Sequence, residues 1–139
     1  MTEKEQIHGK LHTMKEACEE TGLPYETLKF YCNKGLVPNV KRDAINRRVF
    51  DDKDIGWIKS LVCLKNCDMT LTEMKEYLDL CLQGPSSIPQ RRVMLDKKRE
   101  LLVKKLADVQ GAIDYIDWKQ QFYRDVEEGK VEYVSNLLP

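Results

Sequence analysis

The apolar positions fall into two regimes. Up to about residue 84 they come in short clusters separated by turn-forming residues, and from Gln90 to about Glu127 they follow one helical pattern that no proline interrupts. In the first regime Leu11 to Gly22 reads as a short helix. Thr13 and Glu16 have capping-box spacing, Met14, Ala17 and Cys18 make a buried face, and Gly22 supplies the stop. Pro24 to Lys34 reads as a second short helix, with Leu28 and Tyr31 at helical spacing and Gly35 as its cap. Only Thr21, Gly22 and Leu23 lie between them, the spacing of a helix-turn-helix. Leu36 to Pro38 leaves in extended form, and Val40 to Phe50 predicts a β-hairpin turning near Asn46. Asp51 or Asp52 caps a helix through about Lys65, with Ile55, Ile58, Leu61 and Val62 inward. Thr70 and Glu73 repeat the capping-box spacing before Leu71, Met74, Leu78 and Leu82, and Gln83-Gly84 ends that helix. Gly84 to Pro89 reads as a linker.

The second regime alternates steps of four and three through Leu102, Leu106, Val109, Ile113, Ile116, Gln120 and Tyr123, with Gln120 the one clearly polar member. Gly111 is the only weak point, costing about 1 kcal/mol relative to alanine. A helix this long cannot fold back on a small domain over its whole length. Its economical partner is the same helix of a second copy.

Charge changes the picture more than composition does. The 139 residues carry 23 Lys and Arg against 23 Asp and Glu, a net charge of zero that taken alone argues against a nucleic-acid partner. The distribution reverses that inference. Thr27 to Arg48 holds Lys29, Lys34, Lys41, Arg42, Arg47 and Arg48 against Asp43 alone, on the second short helix and the hairpin. Those are the two elements a winged helix-turn-helix presents to a duplex. Along the long helix, Arg91 to Lys105 is basic and Asp108 to Glu128 acidic, so an antiparallel pair sets opposite charges side by side. The expected fold is therefore mainly α: a winged helix-turn-helix DNA-binding domain over residues 11–84, an antiparallel coiled-coil dimerisation helix over 90–127, and a short tail over 128–139.

Other classes find little support. No nucleophile lies near a histidine, and neither a Gly-rich phosphate loop nor metal-ligand spacing is visible, so no enzyme, metal or cofactor is expected. The five cysteines are odd in number, which favours reduced thiols. No apolar run approaches a membrane span and Met1 to Lys10 is polar, so the expected location is cytoplasmic. The alternative that remains is a helical dimeric interaction module that does not bind DNA.

The stretch Thr27-Leu28-Lys29-Phe30-Tyr31-Cys32-Asn33-Lys34-Gly35-Leu36-Val37-Pro38, followed by Asn46-Arg47-Arg48-Val49-Phe50-Asp51-Asp52, resembles the MerR family of bacterial transcription regulators. That family typically shows T-L-R-Y-Y-E-x-x-G-L-[LI]-P and then a wing ending in R-x-Y. The resemblance covers about Leu11 to Tyr123. It implies a dimer on a palindromic promoter element, whose activators untwist and bend the promoter spacer for RNA polymerase, an indirect readout of DNA. It implies that Tyr25, Glu26 and Thr27 open the recognition helix toward base edges or phosphates. Lys29 stands where the family has Arg and loses a bidentate fork. Tyr31 keeps an aromatic hydroxyl expected at the DNA backbone, and Arg48 and Phe50 take the wing's R-x-Y positions, with Lys41, Arg42 and Arg47 adding charge.

The helix after the wing also resembles a small subgroup of that family answering to aldehydes or thiol-reactive stress, which puts Cys63 at the sensor position. By helical spacing Cys67, four residues on, shares a face with Cys63 and is the candidate resolving thiol. A buried, inert core thiol is the competing reading of Cys63, since its place toward a helix C-terminus disfavours an anion.

Overall fold

Three of the five α-helices begin with the same reciprocal pair of hydrogen bonds. In the computed structural model, which describes residues 6–139, Thr13, Asp51 and Thr70 each accept from the backbone N–H three residues ahead. Glu16, Asp54 and Glu73 return the bond to the cap's own N–H, and each cap contributes about 1 kcal/mol. Residues 1–5, part of the polar start of the chain, lie outside the described residues.

The order is β1 (His12–Thr13), α1 (Met14–Thr21), α2 (Tyr25–Asn33), β2 (Lys41–Arg42), β3 (Arg48–Phe50), α3 (Asp52–Asn66), α4 (Leu71–Leu82), a 3₁₀ helix (Gly84–Ser87) and α5 (Ile88–Glu127). The first helix starts at Met14 rather than Leu11, because His12 and Thr13 form a strand opposite Phe50 and Val49. The result is a three-stranded antiparallel sheet, β1-β3-β2, of which the hydrophobic pattern indicates only the hairpin. Gly35, at φ 75°, closes α2 with paired bonds from Gly35 N–H to Cys32 C=O and from Leu36 N–H to Tyr31 C=O. The expected linker at Gly84 is instead the 3₁₀ helix, and α5 begins two residues early with Pro89 accommodated in its first turn. Ser87 holds this corner by bonding the carbonyls of Leu80 and Gly84.

Contacts divide the chain into two units, Met1–Lys98 and Arg99–Pro139. The first has a core of Ala17, Leu28, Leu36, Phe50, Ile58 and Leu61, all fully buried, each large side chain worth about 1.5–3 kcal/mol. Val62 is only half-buried and Leu64 fills the inward place expected for it; Leu71 and Leu82 are exposed. Lys98 pins the third turn of α5 to the α3–α4 corner by donating to Asp68 C=O and Glu73.

The second unit is the rest of α5 and the residues that follow. No residue of α5 is buried within this chain, and Leu106, Val109, Ile113, Ile116 and Tyr123 of the seam are all exposed. A second apolar stripe, Tyr115, Trp118 and Phe122, lies roughly 160° around the helix from the seam. Trp118 stacks on Phe122 at 6.2 Å between centroids, and Lys119 Nζ sits 5.3 Å from the Trp118 ring. After Glu127 no helix or strand follows. Among the described residues no helix is long and apolar enough to cross a membrane.

Candidate nucleic-acid interface

The turn between α1 and α2 is set by Gly22, at φ 74°, whose N–H returns to Cys18 C=O at 2.9 Å. Pro24 in extended conformation then starts α2. Leu28 points into the core, which leaves Tyr25, Glu26 and Lys29 exposed and Thr27 half-buried. Between α1, the start of α2 and the hairpin lies a concave surface of about 740 Å³ lined by Lys15, Tyr25, Arg42, Arg47 and Arg48. Lys15 reaches it from α1, a contribution that charge counting by window does not isolate.

The hairpin turn is organised by Asp43. Its carboxylate accepts from the N–H groups of Arg47 and Ile45 and from Arg47 Nε, while Asn46 takes φ 64°. The Arg47 backbone bond is the main reason that the Asp43 carboxyl is held below its ordinary range. Arg42 and Arg48 stand directly opposite each other across β2 and β3. Like charges in that position are unfavourable by a few tenths to about 1 kcal/mol. Arg42 donates to Asn46 C=O and Arg48 to Asn33 Oδ1, so among the described residues neither has a carboxylate partner. A polyanion laid on this face would relieve that repulsion. Asn33, in the last turn of α2, was not legible as part of the site, since nothing in its spacing marks it.

Three of the residues expected at the DNA lie inward in this structure. Phe50 is 0% exposed, because its place opposite His12 in the sheet turns it into the core. Tyr31 is 2% exposed and its hydroxyl is buried with no hydrogen-bond partner among the described residues. Lys41 is held in a buried ion pair, with Nζ 3.0 Å from Asp51 and 2.9 Å from Asp54. Burial opposes the Lys41 charge, yet its bonds to Asp54 and Asp51 outweigh this and raise its pKa. Burial likewise opposes ionisation of Asp51, but bonds from Asp54 N–H, His8 N–H and Lys41 bring its carboxyl down to about 2. Asp54 moves the other way, with burial dominating and raising it.

Comparison with known proteins now decides the family. The family model described as MerR HTH family regulatory protein matches residues 12–81. The chain belongs to the MerR family. An uncharacterized HTH-type transcriptional regulator of Haemophilus influenzae is 32% identical over 125 residues, covering 89% of this chain and 93% of that protein. The HTH-type transcriptional regulator AdhR of Bacillus subtilis is 30% identical over 89 residues, 64% of each chain. Among solved structures, HiNmlR, a MerR family regulator lacking the sensor domain and bound to promoter DNA, superposes with a TM-score of 0.74 at 31% identity, covering 86% of this chain and 90% of that one. This MerR-family chain is accordingly a DNA-binding transcriptional regulator and not an enzyme.

The thiols of this MerR-family protein are distributed differently from the sequence expectation. Cys63 is exposed on α3, so it is not a core thiol. Cys67 is the residue that closes α3, and its N–H bonds back to Cys63 C=O at 3.1 Å. The side chain that shares a groove with Cys63 is Cys81 on α4, together with Trp57, Lys59 and Tyr77. Sequence spacing pairs residues along one helix; it carries no information on which residue of the next helix packs opposite.

Proposed function

We propose that this MerR-family regulator binds a palindromic promoter element as a homodimer and alters the geometry of the promoter, with RNA polymerase as its partner there. The observation that carries the DNA face is Arg42 and Arg48 facing each other on the wing, neither with a carboxylate partner among the described residues, beside the exposed start of α2. Tyr25, Glu26, Thr27 and Lys29 read or flank bases, and Arg42, Arg47 and Arg48 contact phosphates. The dimer is formed through Leu102, Leu106, Val109, Ile113, Ile116 and Tyr123, an apolar seam that one chain leaves uncovered, in an antiparallel coiled coil favoured by the opposite charges of its two halves. Residues 11–84 are the DNA-binding part, 90–127 the coil, and 128–139 the tail. The signal is a thiol-reactive or aldehyde agent acting at Cys63, which is supported by its exposure.

Selection of bound sites from a random duplex pool tests the DNA reading. The expected result is an inverted repeat, bound with a steep loss of affinity on adding salt. Weak, salt-insensitive retention supports the interaction module instead. Light scattering is expected to give a dimer that Ile113→Lys dissociates, and cysteines placed at residues 102 and 123 are expected to crosslink to each other across the dimer. Crosslinking of 102 to 102 instead excludes the antiparallel arrangement.

A further inference from the structure

Two neighbouring helices hold the same end of the recognition helix. From α3, Trp57 Nε1 donates to Leu36 C=O at 2.7 Å, and from α4, Lys75 Nζ donates to Gly35 C=O at 3.2 Å. Between these helices is a groove of about 380 Å³, lined by Cys63 and Cys81 as well as by Trp57 itself. We propose that Cys63 and Cys81 form a redox pair that a hydroperoxide closes into a disulfide, and that the closure changes how the end of α2 is held and thereby the affinity for DNA. The proposal rests on the reading of Cys63 as the sensor and makes Cys81, not Cys67, its second thiol.

Geometry separates the two candidates. On an intact helix, side chains four apart have Cβ atoms about 5–6 Å from each other, whereas a disulfide needs about 3.5–4.5 Å. Cys63 and Cys67 are locked at that helical spacing by the bond from Cys67 N–H to Cys63 C=O. Both second thiols stand at helix ends, which shift locally at less cost than helix interiors: Cys67 closes α3 and Cys81 is the next-to-last residue of α4. Of the two, Cys81 is the one that lines the groove with Cys63.

The remaining thiols compete poorly. Burial pushes the thiols of Cys18 and Cys32 up, which lowers their thiolate fraction. Exposed Cys63 is the residue an oxidant reaches, with Lys59 lining the same groove. Half-buried Cys81 is placed behind it, beside Tyr77, whose phenol is pushed up first by burial and then by Cys81.

The chemistry balances with the oxidant alone. The Cys63 thiolate attacks the peroxide oxygen of ROOH, the O–O bond breaks, and after proton uptake ROH leaves and Cys63 becomes a sulfenic acid. The Cys81 sulfur then attacks the Cys63 sulfur. An S–S bond forms, the S–O bond breaks, and the Cys81 proton leaves with the hydroxide as water.

The reduced full chain is treated with tert-butyl hydroperoxide, mapped by non-reducing peptide mass analysis, and assayed for binding to a duplex selected from a random pool. The expected product is a Cys63–Cys81 linked peptide, with an affinity change of about fivefold or more that a dithiol reductant reverses. Cys67→Ser should keep both effects, and Cys63→Ser and Cys81→Ser should abolish them. A Cys63–Cys67 link, a link between chains, or a Cys63–Cys81 link with unchanged affinity overturns the proposal while leaving Cys63 as a sensor. If Cys63 reacts with neither the hydroperoxide nor iodoacetamide, the sensor reading itself fails. The mapping is made on the unsubstituted chain, so poor folding of a variant does not obscure the result.

Discussion

Arg48, on the last strand of the wing, donates through Nη2 to Asn33 Oδ1 in the final turn of α2. The hairpin and α2 are thereby joined by a side chain that the proposed function also assigns to DNA. Arg48→Ala should weaken DNA binding about tenfold at low salt and reduce the salt slope by about one. Asn33→Ala leaves the guanidinium in place and should cost only about two- to threefold, through loss of positioning, with the slope unchanged. Fluorescence anisotropy across a salt series separates the two effects; equal slopes for both variants would contradict a phosphate contact by Arg48.

Lys41 sits between Asp51 and Asp54, and truncating it leaves two carboxylates without their cation. Lys41→Met should destabilise the fold by about 3–5 kcal/mol, the usual result of breaking a buried ion pair from one side. Urea unfolding provides the measurement. Where the variant remains folded, its salt slope on DNA should match that of the parent, because Lys41 is spent on the interior rather than on phosphate.

The same cluster sets an acid limit. The Asp51 carboxyl is depressed from 3.8 to about 2, so its stabilisation is fully present above about pH 4 and is lost as pH falls through about 2. Asp54, being raised, opposes part of this by favouring its protonated form as acid is added. Asp51→Asn should lower stability at pH 7 and flatten the decline between pH 4 and 2, read from urea midpoints at a series of pH values. An unchanged acid limb in that variant would show that Asp51 does not govern it.

Among the described residues the buried Tyr31 hydroxyl has no hydrogen-bond partner. Tyr31→Phe removes that unsatisfied group and should raise stability by about 1 kcal/mol with DNA affinity unchanged. Thermal unfolding and duplex titration check the two halves separately. A drop in affinity would restore the hydroxyl to the DNA backbone, where the family resemblance places it.

Local chemistry in this chain announces itself well. Thr13, Asp51 and Thr70 are legible as caps because each needs only its neighbour three residues on, and Asn46 and Gly35 are legible because their backbone angles exclude most other residues. The two-residue strand at His12 carries no such signal: it exists only because Phe50 and Val49 come to lie beside it. The site divides in the same way. Arg42, Arg47 and Arg48 are visible as a cluster, but spacing cannot show that Lys41, one position earlier, turns inward to Asp51 while Arg42 turns outward. That Cys63 and Cys81 line one groove depends on helix packing and lies beyond periodicity for the same reason.

The reciprocal caps at Thr13, Asp51 and Thr70 have an energetic corollary for the encounter with a promoter. Each closes a helix start without any group supplied from outside, so α1, α3 and α4 gain no order when DNA arrives. For these three helices association carries none of the ordering entropy that disordered binding segments must overcome; α2, whose start has no side-chain cap, is not among them. A frame so completed beforehand yields little to its ligand. In the proposed promoter complex the deformation would then fall largely on the double helix, and the ease of unstacking particular base steps would enter target choice.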